Sequence, residues 1–147
     1  MKLRVLWPGK TKQSYFRAAV EDYSSRIARF VSFEIIETKE YSAADRNKQQ
    51  RISKESKNLS NAAKDSVRVV LDPLGKQLTS EEFAAWLEKQ NRDIAFIVGG
   101  PAGMELIDPD LKLSFGRCTF PHELVRVMLL EQLFRAFTIL NRVPYHK

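Results

Sequence analysis

A short, uninterrupted apolar run from Ile94 to Val98 constrains the fold of this chain more than any other stretch. It leads directly into Gly99-Gly100-Pro101-Ala102-Gly103, so a strand here would end at a glycine-rich loop. Strands with no polar residue on either side are typical of parallel sheets whose two faces are both covered by helices. The run therefore predicts a buried parallel strand inside an α/β protein.

The rest of the chain alternates strand-like and helix-like patterns in the order β-α-β-α-β-α-β-β-α. Apolar or alternating runs next to glycine or proline predict strands, and apolar residues three and four apart predict helices. We predict strands over 2–7, 33–38, 67–71, 94–98 and 111–115, and helices over 13–30, 42–63, 80–90 and 122–141. No repeat or second domain is visible, so residues 1–147 are expected to form one α/β domain, a parallel sheet flanked by helices.

Three local signals set boundaries within this order. The sequence Asp72-Pro73-Leu74-Gly75 should end the third strand. Ser80, followed by two glutamates, should cap the third helix. Pro121 should be the first residue of the last helix.

The helical segment that opens at Ser42 or Ala43 and reaches about Ala63 is dominated by charged and amide side chains. Its only clear apolar anchors are Ile52 and Leu59. We therefore expect a solvated helix or a partly mobile arm rather than a core element.

The last helix, from His122 to about Asn141, has the opposite character. Its apolar residues do not keep to one stripe, and a helix that is apolar nearly all round is buried on several sides. Two interpretations stay open: a central core helix, or a helix that packs on its own sheet and also on a second subunit.

The net charge of +6 is concentrated at the two ends of the chain. Residues 1–30 carry seven Lys or Arg against two acids, and residues 115–147 carry five against two. If the ends meet, they form a positive face that favours a polyanion such as nucleic acid. Otherwise the charge is an ordinary basic surface.

No targeting or membrane segment is expected. No apolar run is long enough to span a bilayer, and Pro8-Gly9 interrupts an N-terminal stretch too short for a signal peptide. Cys118 is the single cysteine, which excludes an internal disulfide and points to a reducing cytoplasm.

Three loops are the places where a ligand should bind, since ligands of open parallel sheets lie beyond the carboxyl ends of the strands. They follow Leu71, span 99–103, and span 115–120. The glycine loop is neither a phosphate-binding Gly-Lys-Ser/Thr loop nor a dinucleotide fingerprint. A nucleotide-like ligand held by backbone groups is one interpretation of it.

Other enzyme chemistries are poorly supported. His122 and His146 are the only histidines, and no acids lie near them at metal-ligand spacing, so we expect no metal. Ser114 lacks the context of a nucleophile elbow, and nothing completes a thiol site around Cys118. The tail 141–147 combines a phenol, an imidazole and two cations, which suits single-stranded RNA, although a disordered polar tail is the alternative.

Several motifs in the last fifty or so residues keep the order and spacing of one known family. They are Phe96-Ile97-Val98-Gly99-Gly100-Pro101-Ala102-Gly103, Leu113-Ser114-Phe115, Thr119-Phe120-Pro121-His122, Val125-Arg126, Glu131-Gln132-Leu133-Phe134-Arg135-Ala136-Phe137 and Pro144-Tyr145-His146-Lys147. On these residues the chain resembles the RlmH family. These are SPOUT-class, S-adenosylmethionine-dependent methyltransferases that act on pseudouridine in large-subunit ribosomal RNA.

The resemblance implies an α/β knot fold, in which the C-terminal segment passes through a loop as a trefoil knot. It also implies a homodimer with the knot region at the interface, and ribosomal RNA in the assembled ribosome as partner. By the same resemblance, backbone groups of the three loops hold the cofactor, S-adenosylmethionine. The matching residues are Leu71, Gly99, Phe115, Gly116, Arg117, Cys118, Thr119 and Phe120.

Two departures from the family pattern bear on these roles. The family often has Ser-Lys-Met where this chain has Gly116-Arg117-Cys118, so side-chain roles there are not carried over. The segment from Met104 to Lys112 is short against the family.

The implied reaction moves the methyl group to N3 of pseudouridine, which must lose a proton. We expect His146 to be the base, Tyr145 to position the nucleobase, and Arg142 or Arg135 to engage phosphate or the anion. His122 is expected to be structural. The alternatives are a SPOUT methyltransferase that acts on tRNA or a ribose 2′-OH, and a non-catalytic ribosome-associated RNA-binding factor.

Overall fold

The computed structural model describes residues 1–42, 47–101, 103–105 and 107–147. Five strands form one sheet in the order β2-β1-β4-β3-β5, and all pairings are parallel. The predicted α/β class and element order are confirmed. The elements are β1 Lys2–Pro8, α1 Ser14–Ile27, β2 Ser32–Thr38, α2 Lys48–Ala62, β3 Val67–Gln77, α3 Ser80–Glu88, β4 Ile94–Ile97, β5 Leu111–Ser114 and α4 His122–Leu140.

Helices cover both faces of the sheet, as the apolar β4 run predicts. Because side chains alternate along a strand, Leu3 and Val5 of β1 pack in one cluster and Leu6 packs in another. The first cluster joins α1, α3 and α4 to the sheet, and the second joins α2 to it. All four β4 residues are fully buried between the two layers.

The second helix was predicted to be a solvated helix or a partly mobile arm, and this prediction is wrong. α2 is not merely solvated, because its Leu59 is 1% exposed and forms part of the second cluster. The helix begins at Lys48, where the Asn47 side chain accepts a hydrogen bond from the Gln50 N–H at 2.9 Å. The predicted start near Ala43 falls on residues 43–46, which lie outside the described residues.

The predicted end of the third strand at Leu71 is also wrong. β3 does not end at Leu71 but continues to Gln77, and both Leu71 and Lys76 pair with Leu113. The residues between them bulge out and return to the same partner. Gly75 makes this return possible, since a Cβ there would lie 2.7 Å from the backbone of Lys112.

Two caps differ by one residue from the predictions. Thr79, not Ser80, caps α3, and its side chain and that of Glu82 bond reciprocally to each other's backbone N–H. Pro121 precedes α4 as its cap rather than serving as its first residue.

The last helix is the most buried element outside the sheet. None of its 19 residues is exposed, and it packs between α1 and α3. The Phe137 ring stacks on Phe30, with centroids 6.0 Å apart. The core interpretation of α4 is therefore confirmed, while its packing on a second subunit and the trefoil knot stay predictions. Among the described helices none is long and apolar enough to cross a membrane.

Candidate active site

The three predicted loops meet because of the strand order. β4, β3 and β5 are neighbours, and parallel strands bring their carboxyl ends to the same edge of the sheet. The loop after β4, the bulge in β3 and the loop after β5 therefore lie side by side. β1 borders β4 and ends at the same edge, where Pro8 approaches the glycine loop.

A cleft of about 550 Å³ opens between these loops. This volume lies within the roughly 300–1,000 Å³ range of small-molecule sites. Its walls are mainly apolar, with a few charged groups at the rim. The apolar side chains come from Val70, Leu71, Val98, Met104, Ile107, Leu113, Phe115, Phe120 and Val125.

Most of the residues matched to the cofactor site line this cleft. Leu71, Gly99, Phe115, Gly116, Cys118, Thr119 and Phe120 all belong to its walls. Arg117 is exposed and does not belong to the lining. The cofactor-binding roles of Arg117 and of the seven lining residues stay a prediction.

Two glycines leave the backbone of the cleft open. Gly103 has φ +101° and Gly116 has φ +137°, conformations that other residues rarely adopt. A Cβ at either position would meet no protein atom within 4 Å. A ligand can therefore approach both peptide groups closely.

Ser114 holds two of the loops together, a role that its sequence context did not reveal. The side chain is buried, and its Oγ lies 2.9 Å from the carbonyl oxygen of Pro73 in the β3 bulge. The Ser114 Oγ also accepts a hydrogen bond from the Gly116 N–H at 3.1 Å. A polar residue at the end of a buried strand was the available signal, since a buried hydroxyl must find partners.

The charged groups of the cleft are mostly acidic although the whole chain is basic. Asp72 and Glu105 line it, against Lys112 as the basic residue among the described lining. Burial and the nearby charge of Arg126 lower the pKa of His122, which keeps this imidazole neutral near pH 7. The cleft thus suits a ligand that carries positive charge.

The first two turns of α4 fix the β1–α1 loop beside the cleft. The Glu123 carboxylate accepts hydrogen bonds from the N–H groups of Lys12 at 3.0 Å and Gln13 at 3.1 Å. Arg126 is fully buried over the Trp7 ring and donates to the Pro8 carbonyl at 2.7 Å. Burial lowers the pKa of Arg126 to about 10, so it remains a cation at neutral pH.

The predicted catalytic tail packs at the other end of α4. The Tyr145 ring lies against Phe134, with centroids 4.8 Å apart, and the Arg135 guanidinium lies 4.8 Å from the Tyr145 ring centre. The Tyr145 hydroxyl donates to Glu131 Oε1 at 3.3 Å. Desolvation and the charge of Glu131 raise the pKa of Tyr145, so its hydroxyl stays protonated.

Both ring nitrogens of His146 are occupied. Nδ1 lies 3.1 Å from Arg135 Nη1, and Nε2 lies 2.6 Å from Glu81 Oε1. Because arginine only donates, Nδ1 must be the acceptor, and the proton of the neutral imidazole is on Nε2. In this position His146 has no free lone pair with which to take a proton from a substrate.

Arg142 is exposed and ends the helix. It has φ +56° and, with Val143, donates backbone hydrogen bonds to Ile139 and Thr138. This arrangement is the Schellman motif, which usually uses glycine at the position of Arg142. The turn directs the chain back so that Tyr145 can pack on α4.

One protomer does not bring the tail and the cleft together. No residue beyond Val125 belongs to the described lining of the cleft. Glu131, which contacts Tyr145, is six residues along α4 from the cleft-lining Val125, a separation of roughly 9 Å at 1.5 Å per residue. The tail therefore does not line the cleft of its own protomer in the described structure, and the catalytic roles of Arg142, Tyr145 and His146 stay predictions.

The sequence of the chain is similar to those of known methyltransferases. The family described as "Predicted SPOUT methyltransferase" matches residues 1–146, so the chain belongs to that family of α/β methyltransferases. Its relatives include a protein of Clostridium beijerinckii named Ribosomal RNA large subunit methyltransferase H, with 40% identity over 159 aligned positions and full coverage of both chains. A protein of the same name from Limosilactobacillus reuteri is 38% identical, again with full coverage of both.

Solved structures agree on the fold. A probable methylase family protein from Haemophilus influenzae aligns with a TM-score of 0.58 at 13% identity, over 99% of this chain and 70% of the other. A putative RNA methyltransferase from Bacillus anthracis gives a TM-score of 0.54 at 12% identity, over 94% and 95% of the two chains. At these identities the likeness concerns the fold alone.

Proposed function

We propose that this protein is an S-adenosylmethionine-dependent methyltransferase that modifies N3 of pseudouridine in large-subunit ribosomal RNA. The observation that carries the proposal is the cleft at the carboxyl ends of β3, β4 and β5, in a chain whose full-length relatives bear the name of a ribosomal RNA methyltransferase. We further propose the cytoplasm as its location, since ribosomes are its substrate.

The residues of the cleft fit S-adenosylmethionine. Apolar side chains such as Leu71 and Phe115 offer walls for a flat adenine ring, and the open peptide groups at Gly103 and Gly116 admit close backbone contacts. Asp72 and Glu105 suit a cofactor with a net positive charge. When bound, the cofactor supplies an electrophilic methyl group on a positively charged sulfur.

The protein must orient the nucleobase and receive the N3 proton. We propose His146 as the base, with Tyr145 and Arg142 as the residues that hold the nucleobase and the RNA backbone. Correct orientation of the reacting groups alone supplies up to roughly 7–11 kcal/mol in favourable cases. To accept a proton at Nδ1, His146 must first be released from Arg135, which now donates to that nitrogen.

A homodimer resolves the separation between tail and cleft. Because no tail residue belongs to the described lining of the cleft in its own protomer, we propose that the tail serves the cleft of the partner. The partly buried Leu124 and Met128 of α4 are apolar groups that such a partner would cover. The basic ends of both protomers would then contact the RNA.

Methylation assays on assembled ribosomes, free ribosomal RNA and tRNA test this function. We expect transfer to ribosomes, with mass mapping placing the new methyl group on a pseudouridine base. Transfer to tRNA or to a ribose oxygen would favour the other SPOUT activities. A failure to bind S-adenosylmethionine saturably in calorimetry would instead favour a non-catalytic RNA-binding factor.

A further inference from the structure

Glu55 is a buried carboxylate that is only half satisfied. It lies in α2 and is 1% exposed. One carboxylate oxygen, Oε2, accepts a hydrogen bond from the Tyr41 N–H at 2.9 Å. The other, Oε1, has no hydrogen-bond partner among the described residues. An ionised carboxylate without compensation is costly to bury.

The unpartnered oxygen lies directly behind the glycine loop. A Cβ built on Gly100 would be 3.0 Å from Glu55 Oε1, and Gly100 lines the cleft. Gly100 therefore adjoins both this oxygen and the cleft. A larger residue at position 100 would displace the carboxylate.

Neighbouring contacts hold the carboxylate in this position. Ser56 Oγ accepts a hydrogen bond from the Glu105 N–H at 2.9 Å, and the Gln49 side chain donates to Glu105 Oε1 at 2.6 Å. Leu59 packs one turn further along α2 in the core. The helix and the cleft-lining segment around Glu105 are thus fixed to each other.

No cation in the described part of the chain forms a salt bridge with Glu55. Arg51, one turn earlier in α2, donates its Nε hydrogen bond to the Tyr41 carbonyl at 2.7 Å instead. Charges separated by low-dielectric protein attract over several ångströms, because little water screens them. A cation in the cleft would approach Glu55 from the side of Oε1, where the described residues offer no hydrogen bond.

We propose that Glu55 is a positioning residue that attracts the sulfonium charge of S-adenosylmethionine through Gly100. This inference rests on the proposed function. The carboxylate would favour the charged methyl donor over S-adenosylhomocysteine, whose sulfur is a neutral thioether after the methyl group has left. Product release would then be assisted by the loss of the attraction.

Calorimetric titration of both ligands tests the proposal. For Glu55→Gln we expect the Kd for S-adenosylmethionine to rise about tenfold, equivalent to about 1.4 kcal/mol, while the Kd for S-adenosylhomocysteine changes less than about twofold. Glu88→Gln removes the same charge from the exposed end of α3 and should leave both unchanged. Equal losses for the two ligands, or none for either, would overturn the proposal.

A second variant keeps the proposal testable if Glu55→Gln does not fold. Glu55→Met removes the charge and fills the space with an apolar chain, a replacement that proteins often tolerate. It should show the same selective loss, and its thermal midpoint without ligand should not fall below that of Glu55→Gln. If the unaltered protein binds neither ligand, the proposed function itself fails. If it binds both and the variants keep its preference, this inference alone fails.

Discussion

The cleft and the C-terminal tail carry the two halves of the proposed chemistry, and the fold places them very differently. Backbone loops at three neighbouring strand ends build the cleft, with Ser114 joining two of them. Side chains build the tail cluster, in which Tyr145 and His146 contact Glu131, Arg135 and Glu81. Sheet topology thus brings the three strand ends of the cleft together, whereas the tail depends on side-chain contacts, one of which joins residues 65 apart in the chain.

This difference separates binding from catalysis. Changes in the cleft should alter cofactor affinity, and changes in the tail should alter methyl transfer without altering that affinity.

The largest effect is expected at the tail. His146→Ala should lower single-turnover methyl transfer by about 10²–10⁴-fold, the usual contribution of a general base. S-adenosylmethionine affinity should stay within about twofold, because no tail residue belongs to the described lining of the cleft. Quenched-flow methylation and calorimetry measure the two quantities, with Lys147→Ala as the control. A normal single-turnover rate in His146→Ala would rule out this base.

A bulky residue in the cleft should mainly lower cofactor affinity, in contrast to the tail variant, which should mainly lower the rate of methyl transfer. Gly116→Val places a branched side chain where no protein atom lies within 4 Å, and we expect S-adenosylmethionine affinity to fall about 100-fold, as small misplacements in a site often cost. The positive φ should also reduce the unfolding free energy by about 1–3 kcal/mol. Gly116→Ala carries the same backbone strain with less volume. If Ala and Val lose equal affinity, strain rather than occupancy of the cleft is responsible.

The element order and the cleft could be predicted because both follow from local patterns. The buried β4 run and the glycine loop after it define a parallel sheet with a ligand edge. The continuation of β3 past Leu71 was hidden by Pro73 and Gly75, which usually end strands. Glu55 could not be found, since a charged residue in a polar helix normally faces water. The docking of His146 on Glu81 joins residues 65 apart in sequence, beyond any local signal.

Ser114→Ala tests the joint between two cleft loops. Loss of the hydroxyl leaves the Pro73 carbonyl and the Gly116 N–H without this partner, and we expect about 1 kcal/mol lower stability and up to about tenfold weaker cofactor binding. Urea denaturation and calorimetry measure both. Ser66→Ala is the matched control, since Ser66 is also buried and accepts a bond from Arg4, in a different part of the sheet. Unchanged affinity in Ser114→Ala would show that the loops hold their positions without it.

The smallest effect is expected at the exposed contact of the tail. Glu81→Gln weakens the hold on His146, so amide exchange at Tyr145 and His146 should rise by less than about fivefold, as for other surface pairs. The hydrogen bond from His146 lowers the pKa of Glu81 below its ordinary 4.5. The stabilisation of the tail by the Glu81–His146 contact is therefore complete above pH 4.5 and is lost as the pH falls through the lowered pKa of Glu81. Protection of these amides, taken as the observed rate relative to the intrinsic rate at each pH, that stays constant across that range in the unaltered protein would contradict the contact.

Mixed dimers test the division between cleft and tail most directly. Gly116→Val weakens cofactor binding in a cleft and His146→Ala removes the base from a tail, so at a cofactor concentration well below the Kd of Gly116→Val each variant alone should retain only a few per cent of the unaltered activity. If each tail serves the partner's cleft, an equal mixture allowed to exchange subunits should regain about a quarter of the unaltered activity, because about half of the dimers are mixed and each holds one complete site. A mixture as inactive as its two components would contradict a site shared between protomers.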